Sequence, residues 1–334
     1  MFCDFTKKYI NYFLENKYNL DDNNSLVLLL NNEKNNILKF IENNKIKINY
    51  NKNGSNNYNS KIVKYTNNFF VDTDNVLNEL NFLNETIVIE WNTNKIIVKT
   101  NIVDDILIHK INIIIYIIEY LGTCNYLEII LILTDLKKHK PSTENEIVGP
   151  KHVNSGYCRH FKSNSKKTIY IWRYEEFEKV TFHEVIHALN LDKRDNITQP
   201  IIISKYHNYF EAITDFYAII YHIIYLSLIT NITPKLLLEI ELGFIRNQAI
   251  NVHNILKLNL NELQFIKINQ GSNVFSYYII KYLLFKYLLE INNIKTYLKK
   301  IKLNDLLKNV MKIKFKDYSY NNIKSLRMTL FQLK

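Results

Sequence analysis

Residues Val180–Asp192 read VTFHEVIHALNLD and carry the most informative pattern in the chain, His183-Glu-Val-Ile-His187. Apolar residues at helical spacing predict a helix here, in which positions i and i+4 lie on one face. The two imidazoles can therefore bind one metal ion, and Zn²⁺ accepts such ligands at about 2.0–2.1 Å. Glu184 follows the first histidine, so its carboxylate can contact a water at the metal without binding the metal itself. That is the position of a general base.

A catalytic zinc needs a third protein ligand, and the next predicted helix offers three candidates. They are spaced four residues apart in YHNYFEAITDFY and so share one helix face: His207, Glu211 and Asp215. More than one of them could point at the metal. Glu211 is the best candidate, because a second carboxylate follows it by one helical turn. A zinc-bound histidine usually donates its other N–H to a carboxylate, and Asp215 suits that role toward His183.

A chance occurrence of the pattern is the competing interpretation. The histidines would then be a solvated helix edge, and Glu211 and Asp215 would be surface charges. The neighbouring residues Phe210–Ala218 are largely apolar, which predicts that these carboxylates are buried. Buried carboxylates need a partner, and a metal ion is one such partner.

HExxH followed by Glu-Ala-Ile-Thr-Asp resembles the gluzincin metallopeptidases, whose thermolysin-type members carry a similar Glu-x-x-x-Asp on the next long helix. The resemblance covers about Lys167 to Tyr221 and implies a zinc cofactor and peptide-bond hydrolysis. One departure is Phe210, since thermolysin-like enzymes usually have Asn before the ligand glutamate, and this indicates a distant relative. The implied roles are His183, His187 and Glu211 as ligands, Glu184 as base and Asp215 beside a ligand histidine.

Enzymes of this type bind an extended peptide or protein substrate along an edge strand that precedes the zinc helix. Val153–Arg159 and Lys167–Arg173 are the candidate strands, although an ordinary hairpin explains them equally well. Gly156 would let a substrate backbone approach closely.

The reaction also needs a donor for the oxyanion, typically a tyrosine or histidine. Gly271–Phe285 loosely resembles the Gly/Tyr-rich segment of thimet-oligopeptidase-like enzymes, which makes Tyr277 and Tyr278 the candidates. His207 is the alternative donor. The remaining residues considered, which we expect to be packing, surface or structural groups, are His222, His253, Cys3, Cys124 and Cys158.

The predicted fold class is α+β and zincin-like, with a small mixed sheet, an active-site helix and a mostly helical C-terminal part. Polar, proline-containing Lys137–Pro150 predicts a boundary between an N-terminal α/β domain (1–145) and a zincin-like catalytic domain (146–334). Predicted strands are Glu85–Trp91, Lys95–Ile102, Tyr126–Thr134, His152–Phe161 and Lys167–Arg173. The first two are rich in β-forming residues and flank Asn92-Thr93-Asn94, which predicts a hairpin. Predicted helices are residues 1–20, Asp105–Leu121, Tyr174–Leu191, Ser204–Ile229, Pro234–Gln248 and Asn273–Glu290. Lys299–Lys316 is predicted to be a basic, amphipathic end piece.

The net charge of +11 does not by itself indicate a nucleic-acid-binding protein. Only five of the 43 basic residues are Arg, and the lysines are scattered, whereas a nucleic-acid surface needs clustered basic residues, usually with Arg. Lys, Asn, Ile and Tyr all use AT-rich codons, so the charge reflects an AT-rich genome of the kind found in some large insect DNA viruses. Three cysteines are too few for a disulfide framework.

No segment predicts a membrane anchor. The first 20 residues lack the apolar core of a secretory signal, and the apolar stretch Ala212–Ile229 contains Asp215 and His222, which favours a buried helix. We therefore expect a cytoplasmic protein. Three functions compete: an active zinc peptidase, a zincin-fold binding protein without turnover, and a basic nucleic-acid-associated virion protein with a chance motif.

Overall fold

The computed structural model describes residues 2–52, 63, 71–122, 126–143, 146–160, 166–192, 210–256, 270–291, 323 and 325–334. These residues form helices and one six-stranded mixed sheet, which confirms the α+β class. The chain divides into two compact units. The helical unit comprises Met1–Lys34, His139–Val153 and Asp192–Lys334, and the sheet unit comprises Asn35–Lys138 and Asn154–Leu191.

The described helices and strands follow one another along the chain. The helices are α1 (Asp4–Glu15), α2 (Ser25–Asn43), α3 (Thr73–Leu80), α4 (Asp105–Leu121), α5 (Pro150–Val153), α6 (Phe177–Leu189), α7 (Phe210–Thr230), α8 (Pro234–Leu256), a π-helical turn (Ser276–Ile280) and α9 (Lys281–Leu289). The strands are β1 (Ile48–Asn51), β2 (Glu85–Trp91), β3 (Asn94–Thr100), β4 (Tyr126–Thr134), β5 (Gly156–His160) and β6 (Lys166–Arg173).

The sheet has the strand order β1-β2-β3-β4-β6-β5. β4 lies parallel to both of its neighbours, β3 and β6, while the remaining pairs are antiparallel. Its sequence YLEIILILT is almost continuously apolar and buried, as expected for a central parallel strand covered on both faces. β5 is an edge strand, since no other strand among the described residues pairs with its outer side.

Helix α6 packs against β5 and β6, and α4 also contacts it. α3 packs on β4, over a buried cluster that includes Ile130, Ile132 and Trp172. The β2–β3 turn places Asn92 in the left-handed region, and Glu119 of α4 accepts hydrogen bonds from Trp91, Asn92 and Asn94. These contacts fix the sheet that supports α6.

The helical unit packs α7, α8, α9 and the π-helical turn against one another, and α1 packs on α8. Buried polar side chains of this unit hydrogen-bond to the backbone of residues 325–334, which are almost wholly buried. Among the described helices, α7 alone is long and apolar enough to cross a membrane, but 72% of its most apolar window is buried. A buried core helix has the same properties, so a membrane span is only weakly indicated.

Several predicted elements agree with the structure, and one predicted strand is wrong at its start. The β2–β3 hairpin is confirmed, and α4 and β4 have the predicted bounds. The predicted strand His152–Phe161 is wrong at its start, because Pro150 begins a helical turn and β5 starts only at Gly156. The basic, amphipathic segment predicted at 299–316 and the start of the helix predicted at 204 lie outside the described residues.

The compact units do not follow the boundary predicted at residue 145. Each unit combines segments from both sides of it. The physical reason is strand pairing: β4, from the N-terminal part, pairs with β6, so β1 to β4 join the same sheet as the two strands that precede α6.

Candidate metal centre

Helix α6 carries the histidine pair and is buried along nearly its whole length. It ends at Leu189, and the following Asn190 adopts a left-handed conformation in which its N–H bonds to the carbonyl of His187. The N–H of Leu191 returns to the carbonyl of Ile186 at 3.0 Å, which completes a Schellman-type end. The second histidine therefore lies in the last turn of a helix whose end is fixed.

The first turn of α6 is held by buried charges. Lys138 Nζ lies 2.7 Å from Glu176, and Lys110 Nζ lies 3.5 Å from Glu178. Glu175 accepts the backbone N–H of Lys138 at 2.6 Å. Carboxylates near a helix N-terminus are stabilised by the helix dipole, so all three glutamates suit this end of the helix. Burial lowers the pKa of Lys138, and the neighbouring Glu176 opposes that shift.

The predicted ligand set comes together in the structure. One ligand atom each of His183, His187 and Glu211 can be chosen so that all three lie within 4.8 Å of one another. The two imidazole rings are 4.9 Å apart between centroids and nearly perpendicular. His183 is buried, while the other two are partly exposed.

This donor set fits Zn²⁺. Ligand atoms at about 2.0–2.1 Å from a tetrahedral ion are separated by roughly 3.3 Å. Side-chain rotations that move the ligand atoms by about 1 Å would therefore complete the site. Three protein donors leave a fourth position, the coordination typical of a catalytic zinc rather than a structural one. The chemistry of the donors and their proximity thus agree, and zinc binding itself stays a prediction.

Glu184 lies between the two histidines in sequence and is 6% exposed. Its Cγ would be 3.2 Å from a Cβ added to Gly156, which places the base candidate against the first residue of β5. The same added Cβ would lie 2.7 Å from Val180 and 3.1 Å from the carbonyl of Tyr170. Only glycine allows this close approach of strand and helix. The close approach predicted for Gly156 therefore involves the α6 helix, and its contact with a substrate stays a prediction.

Asp215 is fully buried on α7, one turn after Glu211. Its Oδ2 lies 2.7 Å from Lys281 Nζ, a partner that sequence analysis did not identify. The predicted role of Asp215 toward His183 stays a prediction.

A second polar contact of α7 was also missed. Thr214 donates to Asp192 Oδ2 at 3.1 Å in a buried setting and also contacts the carbonyl of Phe210. Asp192 comes five residues after His187, and Thr214 comes three residues after Glu211. The polar character of both positions was visible in the sequence, but a separation of 22 residues gives no signal that they meet.

The oxyanion candidates differ in their surroundings. Tyr278 is fully buried, and its hydroxyl donates to the carbonyl of Leu326. Tyr277 is partly exposed and lies in the π-helical turn. His207 lies outside the described residues. Both assignments of a tyrosine to the oxyanion stay predictions, and the Tyr278 hydroxyl has another acceptor here.

The other histidines considered take different places. His222 is buried in α7, and His253 is partly exposed near the end of α8.

Comparison of the chain with known protein families, curated proteins and solved structures finds no match.

Proposed function

We propose that this protein is a zinc-dependent metallopeptidase. One observation carries the proposal: the ligand atoms of His183, His187 and Glu211 lie within 4.8 Å of one another, although Glu211 is 24 residues beyond the nearer histidine. A chance HExxH pattern gives no reason for a carboxylate to lie there.

The proposed chemistry assigns a role to each group. When bound, zinc would polarise the scissile carbonyl and increase the acidity of a coordinated water. Glu184 then accepts a proton from the attacking water and passes it to the leaving amine, as a general acid–base group does. Its burial beside β5 supports this role, because packing against Gly156 limits the movement of the carboxylate that follows His183 on α6.

An extended peptide is the proposed substrate. β5 is the last strand in the order of the described strands, and an edge strand of a sheet can pair with a peptide backbone. The strand starts at Gly156, against which Glu184 packs, so a peptide on this edge would pass near the proposed base. Tyr277 remains the better candidate for the oxyanion, because its side chain is partly exposed.

The test measures zinc content and digestion of a peptide library. Wild-type protein is expected to hold one zinc per chain and to cleave peptides. Glu184→Gln should keep the zinc and lose cleavage by at least about 100-fold, the usual contribution of a general base. His187→Ala should lose both, while His253→Ala, a matched change outside the cluster, should lose neither.

Absence of stoichiometric zinc from wild-type protein would overturn the proposal. Zinc binding without cleavage by the wild type would replace it with the function of a zincin-fold binding protein.

A further inference from the structure

Lys281 is a buried cation at the start of α9, with 1% of its side chain exposed. Its Nζ lies 2.7 Å from Oδ2 of Asp215, which is itself fully buried. An ammonium group taken out of water loses its hydration, and only a close anion or several acceptors offset that loss. The position of this lysine is therefore tied to that of Asp215.

The ammonium group also makes a hydrogen bond to the backbone and lies near an aromatic ring. Nζ donates to the carbonyl of Met328 at 3.1 Å and lies 5.8 Å from the ring centre of Tyr278. Tyr278 in turn donates its hydroxyl to the carbonyl of Leu326. The segment 325–330 thus presents two backbone acceptors that fix the lysine and its neighbour, and Lys281 cannot leave Asp215 without losing a second contact.

A buried ion pair gives little net stability compared with well-packed apolar residues, so stability alone does not explain this one. Its location offers another explanation. Asp215 follows Glu211 by one turn of α7, and residues four apart share a helix face. A charge that fixes Asp215 therefore acts on the face of the helix that carries the proposed zinc ligand.

We propose that Lys281 is a positioning residue of the metal centre, which holds the Asp215 carboxylate in place on the ligand-bearing face of α7. This inference rests on the proposed zinc site. It extends the site to a cation that touches neither metal nor substrate, and it assigns the segment around Met328 the role of fixing that cation. Groups that orient metal ligands typically affect metal affinity by 10–100-fold.

The experiment measures zinc affinity by competition with a chromophoric chelator, together with the urea midpoint of the metal-free protein. Lys281→Met is expected to weaken zinc binding by about tenfold or more. Asp215→Asn should weaken it as well, and the double variant should be no weaker than Asp215→Asn alone, because Lys281 acts through that carboxylate. Lys281→Gln, which keeps a donor for Met328, covers the case in which Lys281→Met does not fold.

Lys17→Met is the matched control. Lys17 pairs with Glu239 at 2.8 Å in the same unit, so its loss should lower stability slightly and leave zinc affinity unchanged. Wild-type affinity in both Lys281 variants, or additive effects in the double variant, would overturn the inference while the zinc site stands. A wild-type protein that binds no zinc would remove both proposals.

Discussion

Among the glycines that the structure describes, Gly156 is the one where an added Cβ would meet its neighbours most closely. A Cβ there would come within 2.7 Å of Val180 and 3.2 Å of Glu184, so β5 and α6 would have to separate. We predict that Gly156→Ala costs about 1–3 kcal/mol of unfolding free energy, as overpacking does. It should also lower kcat/KM by tenfold or more with zinc content unchanged, since the proposed base is displaced. Urea unfolding followed by tryptophan fluorescence suits this test, because Trp172 lies on the adjacent strand.

Gly149→Ala is the control for that prediction. A Cβ at Gly149 would find no atom closer than 3.9 Å, so both stability and activity should stay near wild type. Equal effects of the two substitutions would show that crowding against Glu184 is not what matters at Gly156.

Single residues also show how far sequence analysis reaches. The proximity of His183 and His187 follows from their spacing, because a helix brings residues four apart onto one face. Lys281 gives no such signal. It is one of 38 lysines, and helical lysines are ordinarily solvated, so only the fold reveals that it is buried against Asp215.

Helix α7 makes a buried side-chain contact with Asp192 near its N-terminus. Thr214 of α7 donates to the buried carboxylate of Asp192. We predict that Thr214→Val lowers the unfolding free energy by about 1.5–3 kcal/mol, the range for a hydrogen bond to a charged group. The variant should also bind zinc more weakly, as measured by chelator competition. The second effect follows because Glu211 lies one turn earlier on the same helix.

Thr181→Val provides the matched comparison on α6. Thr181 is also buried, but its hydroxyl bonds only to the carbonyl of Phe177 in its own helix. Thr181→Val should lower the unfolding free energy less than Thr214→Val does, and it should leave zinc affinity unchanged. If both variants weaken zinc binding alike, the contact with Asp192 does not position α7.

Elements with a strong local pattern were predicted well, and those whose limits depend on tertiary contacts were not. Continuous apolar sequence predicted β4, and two runs rich in β-forming residues on either side of Asn92-Thr93-Asn94 predicted the β2–β3 hairpin. The residues before β5 also looked extended, but Pro150 suits the first turn of a helix and shifts the strand start to Gly156. Local propensity did not indicate whether a helical turn or a strand would form at residues 150–153.

Across the whole chain, sequence order was a poor guide to organisation. A consecutive two-domain division was expected at residue 145, whereas strands from 48 to 134 share one sheet with β5 and β6. Parallel pairing of β4 with β6 joins segments that are far apart in sequence, and no local pattern specifies such a partner. The α+β class was predictable because it depends only on which elements are present.

The longest-range contacts lie in the helical unit and connect α1 with residues 330–333. Thr6 is fully buried, donates to the carbonyl of Leu330 at 2.8 Å and accepts the N–H of Gln332 at 3.1 Å. Phe2 also forms an isolated bridge with Leu333. One hydroxyl therefore serves two backbone groups more than 320 residues away in sequence.

We predict that Thr6→Val, which keeps the volume but removes the hydroxyl, lowers the unfolding free energy by about 1–3 kcal/mol, because two buried backbone groups lose this partner. Thr6→Ser should lose less, since its hydroxyl can serve both groups. Far-ultraviolet circular dichroism in urea is the appropriate measurement, because both tryptophans, Trp91 and Trp172, lie in the sheet unit and their fluorescence does not report directly on α1. A Thr6→Ser variant that loses more stability than Thr6→Val would mean that the methyl group, rather than the hydroxyl, joins these distant segments.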